Sequence, residues 1–333
     1  MKALILIGGL GSRLRPFTLN APKPLMPVVN IPFLQHQIQQ MTAAGIKEIV
    51  LAMGYKAGMF RKILGDGRRF GVRLRFVEEK SPLGTGGGVA NAAALLSGTC
   101  LVFNGDNLHD LDIRGFLKAH RRAKAVVSIA LTRVADPSQF GLVETTPQGK
   151  IRRFLEKPSA NQITCDTINS GAYLFEPEAW KSIPVGKPSS LERDLFPRLL
   201  SEGKPMLGFV SKRYWIDIGT REKYHQVHMD LLNGKAHFAS IPKGRRGSVL
   251  VAPGASIAKS AKLVGAVCVG PRVAVGSEAR LENCVVLEGS RIGKRASLKN
   301  CVVGPRCRIG DDASVGDGAA LGEGTILTDY SRV

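Results

Sequence analysis

Between residues 251 and 327 an apolar side chain returns about every sixth position: Val251, Ile257, Leu263, Val269, Val275, Leu281, Leu287, Ile292, Leu298, Val303, Ile309, Val315, Leu321 and Leu327. Eleven of these gaps are six residues and two are five. An amphipathic helix needs returns at three and four residues and a half-buried strand at two, so neither keeps this register. Alternation would account for SVGDGAALGEG (314–324) alone, but not for a dozen repeats. A hexapeptide period instead builds a parallel β-helix, each flat face taking about six residues with the aliphatic one pointing inward. Gly265, Gly270, Gly276, Gly293, Gly304, Gly310, Gly316 and Gly322 are expected at the tight corners between faces. LENCVV (281–286) and LKNCVV (298–303) are near copies seventeen residues apart, about one coil. That offset stacks Asn283 on Asn300, as a hydrogen-bonded ladder, and Cys284 on Cys301, as two free thiols one strand spacing apart.

Before residue 240 the pattern is different. Short apolar runs (Lys2 to Ile7, Glu48 to Met53, Val72 to Val77, Cys100 to Asn104, Val126 to Leu131) alternate with helix-like stretches such as PFLQHQIQQMTAAG and IRGFLKAHRRA. That alternation marks an α/β domain, a mostly parallel sheet covered by helices. The organisation expected is a first domain over 1–235, a basic linker over 236–247 containing IPKGRRG, and the β-helix over 248–333.

The formal net charge is +20. The cations are scattered, and no nucleic-acid signature, aromatic platform or basic tail accompanies them, so no nucleic-acid partner is expected. Polyanionic small substrates and a generally basic surface without a particular partner are the two readings. The apolar run Ala3 to Ile7 is too short for a signal or a membrane span, and the six cysteines include no CxxC pair. A soluble cytoplasmic protein with no membrane partner, no zinc site and no disulfide framework is expected.

The first strand runs into LILIGGLGSRLRPFTLNAPKPLMP (4–27). A strand, a glycine-rich turn and a helix present backbone N–H groups to phosphate oxygens. Here Gly8, Gly9 and Gly11 are followed by the Ser12 hydroxyl, Arg13 and Arg15, then Lys23 between Pro22 and Pro24. Planar guanidinium forks and a lysine point charge together can neutralise a triphosphate. A solvated basic loop would not need the flanking prolines.

GGLGSRLRPFTLNAPKPLMP resembles the signature of the sugar-nucleotide pyrophosphorylases, nucleotidyltransferases that join a nucleoside triphosphate to a sugar 1-phosphate, and most closely their mannose-1-phosphate guanylyltransferase branch. EEKSPLGTGGG (78–88), FNGDN (103–107), FGLV (140–143), FLEKP (154–158), INSGAYLF (168–175), SSLERDLFP (189–197) and YWIDIGT (214–220) follow in the same order. The resemblance implies a Rossmann-like nucleotidyltransferase domain followed by a left-handed parallel β-helix of hexapeptide repeats.

It also implies a reaction: in-line attack of the sugar phosphate on the α-phosphorus, with pyrophosphate leaving. That nucleophile is already ionised near neutral pH, so alignment and charge neutralisation suffice without a general base. Arg13 and Lys23 suit that task. Mg²⁺ is the expected cofactor, held by Asp106 after the strand CLVFN and by Asp217 in WIDIG. By the same resemblance Gly84 and Thr85 border the base with Glu79 nearby, and Glu156, Lys157, Asn169 and the Gly141 backbone form the sugar-phosphate pocket. PLGTGGG departs from the commoner PLGTAG, having Gly87 and Gly88 in a wholly glycine run, which leaves guanine, uracil and thymine open. GDP-mannose synthesis is the expectation, with UDP-glucose or dTDP-glucose synthesis beside it. A hexapeptide acyltransferase is disfavoured because all six histidines precede residue 248. A non-catalytic sugar-nucleotide sensor is disfavoured by Arg13, Lys23, Asp106 and Asp217 together. The β-helix is expected to serve homo-oligomer assembly rather than chemistry.

Overall fold

The computed structural model describes residues 1–9, 11–54, 56–236, 238, 240–241 and 247–333. The chain forms two compact units, Met1–Gly9 with Gln37–Trp215, and Leu10–His36 with Ile216–Val333. Much of the expected linker (237, 239 and 242–246) lies outside the described residues.

The first unit is built on a nine-stranded sheet. Its strands are β1 (Lys2–Ile7), β2 (Glu48–Met53), β3 (Arg73–Glu78), β4 (Cys100–Asn104), β5 (Val127–Arg133), β6 (Gly141–Thr145), β7 (Ile151–Glu156), β8 (Thr167–Phe175) and β9 (Met206–Val210). The main path runs β7-β6-β8-β4-β1-β2-β3, and β5 pairs with β8 and β9. β1 lies parallel to β2 and β4, and β2 to β3, whereas β8 is antiparallel to β4, β5 and β6. The nearly continuous burial of ALILI and EIVLAM is what a strand covered on both faces requires. Helices α1 (Phe33–Ala43), α2 (Ala57–Leu64), α3 (Gly84–Ala92) and α4 (Ile113–Ala123) follow strands as the alternation predicts. Leu4, Val102 and Tyr173 from the sheet, Val89 from α3, and Phe196 belong to one core.

In the second unit the hexapeptides form three parallel sheets of five, five and four strands. This is the arrangement of a left-handed β-helix. Its register shows which residue of each repeat is equivalent. Val251, Val269, Val286, Val303 and Leu321 occupy one column. The inward residue is therefore Val286, where the period alone selected Leu287, and the two five-residue steps are Leu281 to Val286 and Leu298 to Val303. Both Val286 and Leu287 are buried, so hydrophobicity cannot choose between them.

The corner glycines also need a correction. Gly265 has a positive φ of 68°. Gly270, Gly276, Gly293, Gly304 and Gly310 do not, and are required for another reason: a Cβ at any of them would lie 2.5–2.8 Å from backbone of the next coil or its equivalent. Many left-handed corners are instead held by other residues, including Arg272, Glu278, Asn283, Arg295, Asn300, Arg306 and Asp312. Asn283 and Asn300 do stand one coil apart, but in place of a mutual ladder Asn283 accepts from the Ala266 N–H at 3.0 Å and Asn300 donates to Asp317 at 2.8 Å. Cys284 and Cys301 are both buried and unbridged. Contact with Cys301, then burial, pushes the Cys284 thiol well up.

Candidate functional site

Three charged side chains converge in the second unit. After Gly11 the chain makes one 3₁₀ turn, Ser12–Leu14, rather than the expected helix, and a second over Lys23–Leu25. Gly11 has φ 64°, and a Cβ there would stand 3.1 Å from Thr18 and 3.2 Å from the Lys23 Cβ. The Thr18 hydroxyl donates to the Gly11 carbonyl at 2.7 Å and ties the loop across its base. Lys23 is buried, its ammonium 3.6 Å from the Asp217 carboxylate. Gly219 explains how Arg13 joins them: a Cβ there would be 2.8 Å from Asp217 Oδ2 and 3.2 Å from Arg13 Nη2. Ser12 and Arg13 are exposed. Thr18 and Gly219 were not singled out by sequence reasoning, because their tasks depend on neighbours distant in the chain.

This loop is also buttressed by the β-helix. A Cβ on Gly322 would meet Pro16 at 2.9 Å, and Asn20 donates to Glu323 at 2.9 Å. Glu323 is in turn paired with Arg306. Asn30 donates to the Val269 carbonyl at 2.9 Å, and His225, on helix α5 (Arg221–Leu232), bonds the Asn283 carbonyl at 2.7 Å. The tail expected to serve assembly rather than chemistry thus packs directly on the segment between Arg13 and Lys23.

In the first unit, Gly8 and Gly9 follow β1 with open space where their Cβ atoms would be. Asp106 is exposed just beyond β4. Gly105 before it donates to the Leu6 carbonyl at 2.8 Å, and a Cβ there would collide with the same oxygen, so the strand end is held against β1. Glu79 follows β3 and accepts from the Leu83 N–H at 3.2 Å, closing the turn into α3. The glycines that open α3 meet protein backbone: Cβ atoms on Gly84 and Gly86 would lie 2.6 and 3.1 Å from the Ser189 backbone, and one on Gly87 3.0 Å from the Lys187 carbonyl. A Cβ on Gly88 would lie 3.0 Å from Glu79. The departure from PLGTAG therefore has a packing reason.

The residues expected at the sugar phosphate share this unit. Gly141 and Glu156 are register partners, and a Cβ on Gly141 would be 3.0 Å from the Glu156 carboxylate. Burial first, then Glu192, raises the Glu156 carboxyl above the usual range. Lys157 is exposed with φ 50°. Asn169 donates to the Tyr173 hydroxyl at 2.9 Å, and Tyr173 donates to Glu192 at 3.4 Å. Thr85 also donates to Glu192, at 2.6 Å. Glu192 and buried Tyr173 therefore bridge Thr85, expected at the base, to Asn169, expected at the sugar phosphate. Sequence reasoning quoted both motifs that contain them but gave neither residue a role.

Residues 2–234 match the Nucleotidyl transferase family. The chain belongs to the nucleotidyl transferase family. Residues 245–333 of this nucleotidyltransferase match the GMPPB C-terminal domain. It is 41% identical to a mannose-1-phosphate guanylyltransferase of Mycobacterium tuberculosis, over 87% of this chain and 80% of that one. It is 33% identical to mannose-1-phosphate guanylyltransferase 1 of Arabidopsis thaliana, over 99% and 93%. Two structures of HddC from Yersinia pseudotuberculosis, the second complexed with GMP-PN, superpose with TM-scores of 0.59 and 0.58 at 29% identity, covering 68% of this chain and 97% of HddC.

Proposed function

We propose that this enzyme joins GTP to mannose 1-phosphate, forming GDP-mannose and releasing pyrophosphate. The observation that carries the chemistry is the gathering of Lys23 and Arg13 at Asp217. Two cations there can neutralise charge building on the α-phosphate and the departing pyrophosphate. The nucleophile, a sugar phosphate oxygen, brings no proton that a base must remove; its bond to the α-phosphorus forms as the bridge to pyrophosphate breaks. Guanine and mannose are supported by guanylyltransferase relatives that span nearly the whole chain.

Gly8, Gly9, Gly11 and Ser12 would face the phosphates, with Glu79, Gly84 and Thr85 beside the base and Gly141, Glu156, Lys157 and Asn169 around the sugar phosphate. Enzymes of this family generally use a divalent metal, and we assign Mg²⁺ to Asp106 and Asp217. Their oxygen donors fit a hard cation that takes one or two carboxylates besides substrate phosphates and water. Asp106 is exposed and Asp217 a quarter exposed, so both carboxylates can be reached. When bound, the metal supplies further neutralisation of the phosphate oxygens.

Among the described residues no helix is long and apolar enough to cross a membrane. Six unbridged cysteines suit a reducing cytoplasm. Val251, Ile326, Tyr330 and Val333 are exposed apolar groups of the β-helix and support a homo-oligomer formed through it. Pyrophosphate release with each of four nucleoside triphosphates, offered mannose or glucose 1-phosphate, tests the substrates. GTP with mannose 1-phosphate should turn over fastest; faster turnover of UTP or dTTP with glucose 1-phosphate would reassign the enzyme.

A further inference from the structure

Gly8, Glu79 and Asp106 all lie where strands of the first unit's sheet end. At the opposite, starting end of edge strand β3, the turn 66–71 folds back on the strand, with the Leu74 N–H donating to the Asp66 carbonyl at 2.8 Å. Between them is a cleft of about 730 Å³ lined by Lys47, Asp66, Arg68, Arg73 and Arg75. Its acidic groups are already matched: Asp66 pairs with Arg68 at 2.9 Å, and the neighbouring Glu48 pairs with Lys2 at 3.0 Å. Among the described residues no carboxylate forms an ion pair with Lys47, Arg73 or Arg75.

Cations on an edge strand often serve only to discourage pairing with a strand of another molecule. Such groups stay solvated. Arg75 does not conform, because its Nε is buried and has no acceptor among the described residues. Arg75 is half-buried, which holds its stem in place, and its Nη groups, which make no hydrogen bond among the described residues, are left for an anion entering the cleft. Glu48 faces Arg73 and Arg75 as well as Lys2, and Lys47, Arg73 and Arg75 still leave the cleft positive beyond these pairs; one phosphate ester carries about −1.5 to −2 charge at neutral pH, so the excess matches more than one. Among the described residues no aromatic ring lines the cleft, so they offer nothing on which a nucleobase could stack.

We propose that this cleft is a second anion-binding site, distinct from the substrate pocket, that takes a small ligand carrying two or more linked phosphates. The guanidinium forks of Arg73 and Arg75 grip phosphate oxygens and Lys47 adds a point charge.

Titration calorimetry with inorganic tripolyphosphate tests this on the full chain carrying Lys23→Ala, which weakens competing binding at the substrate pocket. Adding Arg73→Ser and Arg75→Ser should remove one binding equivalent or weaken it at least tenfold. Arg75→Lys, which keeps the charge but loses the fork, should weaken it several-fold. With Lys23 intact, the Arg73→Ser/Arg75→Ser protein should release pyrophosphate at the parental rate, showing that the fold survives. Superimposable isotherms with and without the arginine substitutions, or an unchanged affinity in Arg75→Lys, would overturn the proposal.

Discussion

Lys23 shows how its surroundings can suit one residue to the chemistry proposed for it. Its stem is roofed by Gly11 and its ammonium faces Asp217 at 3.6 Å, with the Arg13 guanidinium beside Gly219. A solvated loop lysine would be exposed; this one is buried. Lys23→Ala should lower the maximal rate by about 10²–10³, the range for losing one preorganised electrostatic contact in a closed site. Steady-state kinetics would check it: a raised Michaelis constant at an unchanged maximal rate would demote Lys23 to ground-state binding. The prolines around Lys23 made its immobility legible in the sequence. The roof, the Thr18 tie and the need for Gly219 were not legible, because each depends on a contact between segments that no local pattern records.

Among the elements, the coils of the β-helix are the most constrained. Gly293 sits where a Cβ would lie 2.5 Å from the Gly310 backbone, which cannot retreat without parting two hydrogen-bonded coils. Gly293→Ala should destabilise the protein by about 1–3 kcal/mol, as overpacking does in a filled interior, and denaturant unfolding would read it. A loss near zero would mean that the coils slide apart easily. The repeat period revealed that coils exist, but assigned the inward position of one of them to Leu287 instead of Val286. Adjacent buried residues look alike to a hydrophobicity pattern, and only the strand register separates them.

For the molecule as a whole, two behaviours follow from buried groups and long-range packing. Burial pushes His36 and His109 down to about 4 and His228 to about 3. The folded state therefore resists protons that the unfolded chain accepts near 6.5. The stability these residues contribute is complete above that value and is lost as pH falls toward their folded pKa values. Each costs up to about 1.4 kcal/mol per pH unit across that window. Melting temperature should drop progressively on acidification from pH about 6.5 to about 4; a flat profile would contradict the burial. Truncation after residue 240 removes Gly322 and Glu323 from Pro16 and Asn20. It should lower the maximal rate of the remaining domain as well as change its subunit count, measured by pyrophosphate release and light scattering. A truncated protein with the parental rate would show that the buttress is dispensable. By itself the sequence determined the parallel coil, the α/β sheet and the order of the family's motifs, because periodic burial and glycine-cation spacing are local properties of the chain. Tertiary structure alone decided that Pro16 rests on Gly322 and that Glu192 bridges Thr85 to Tyr173. Such contacts join residues from about twenty to three hundred positions apart, and their strength lies in geometry that spacing along the chain does not encode.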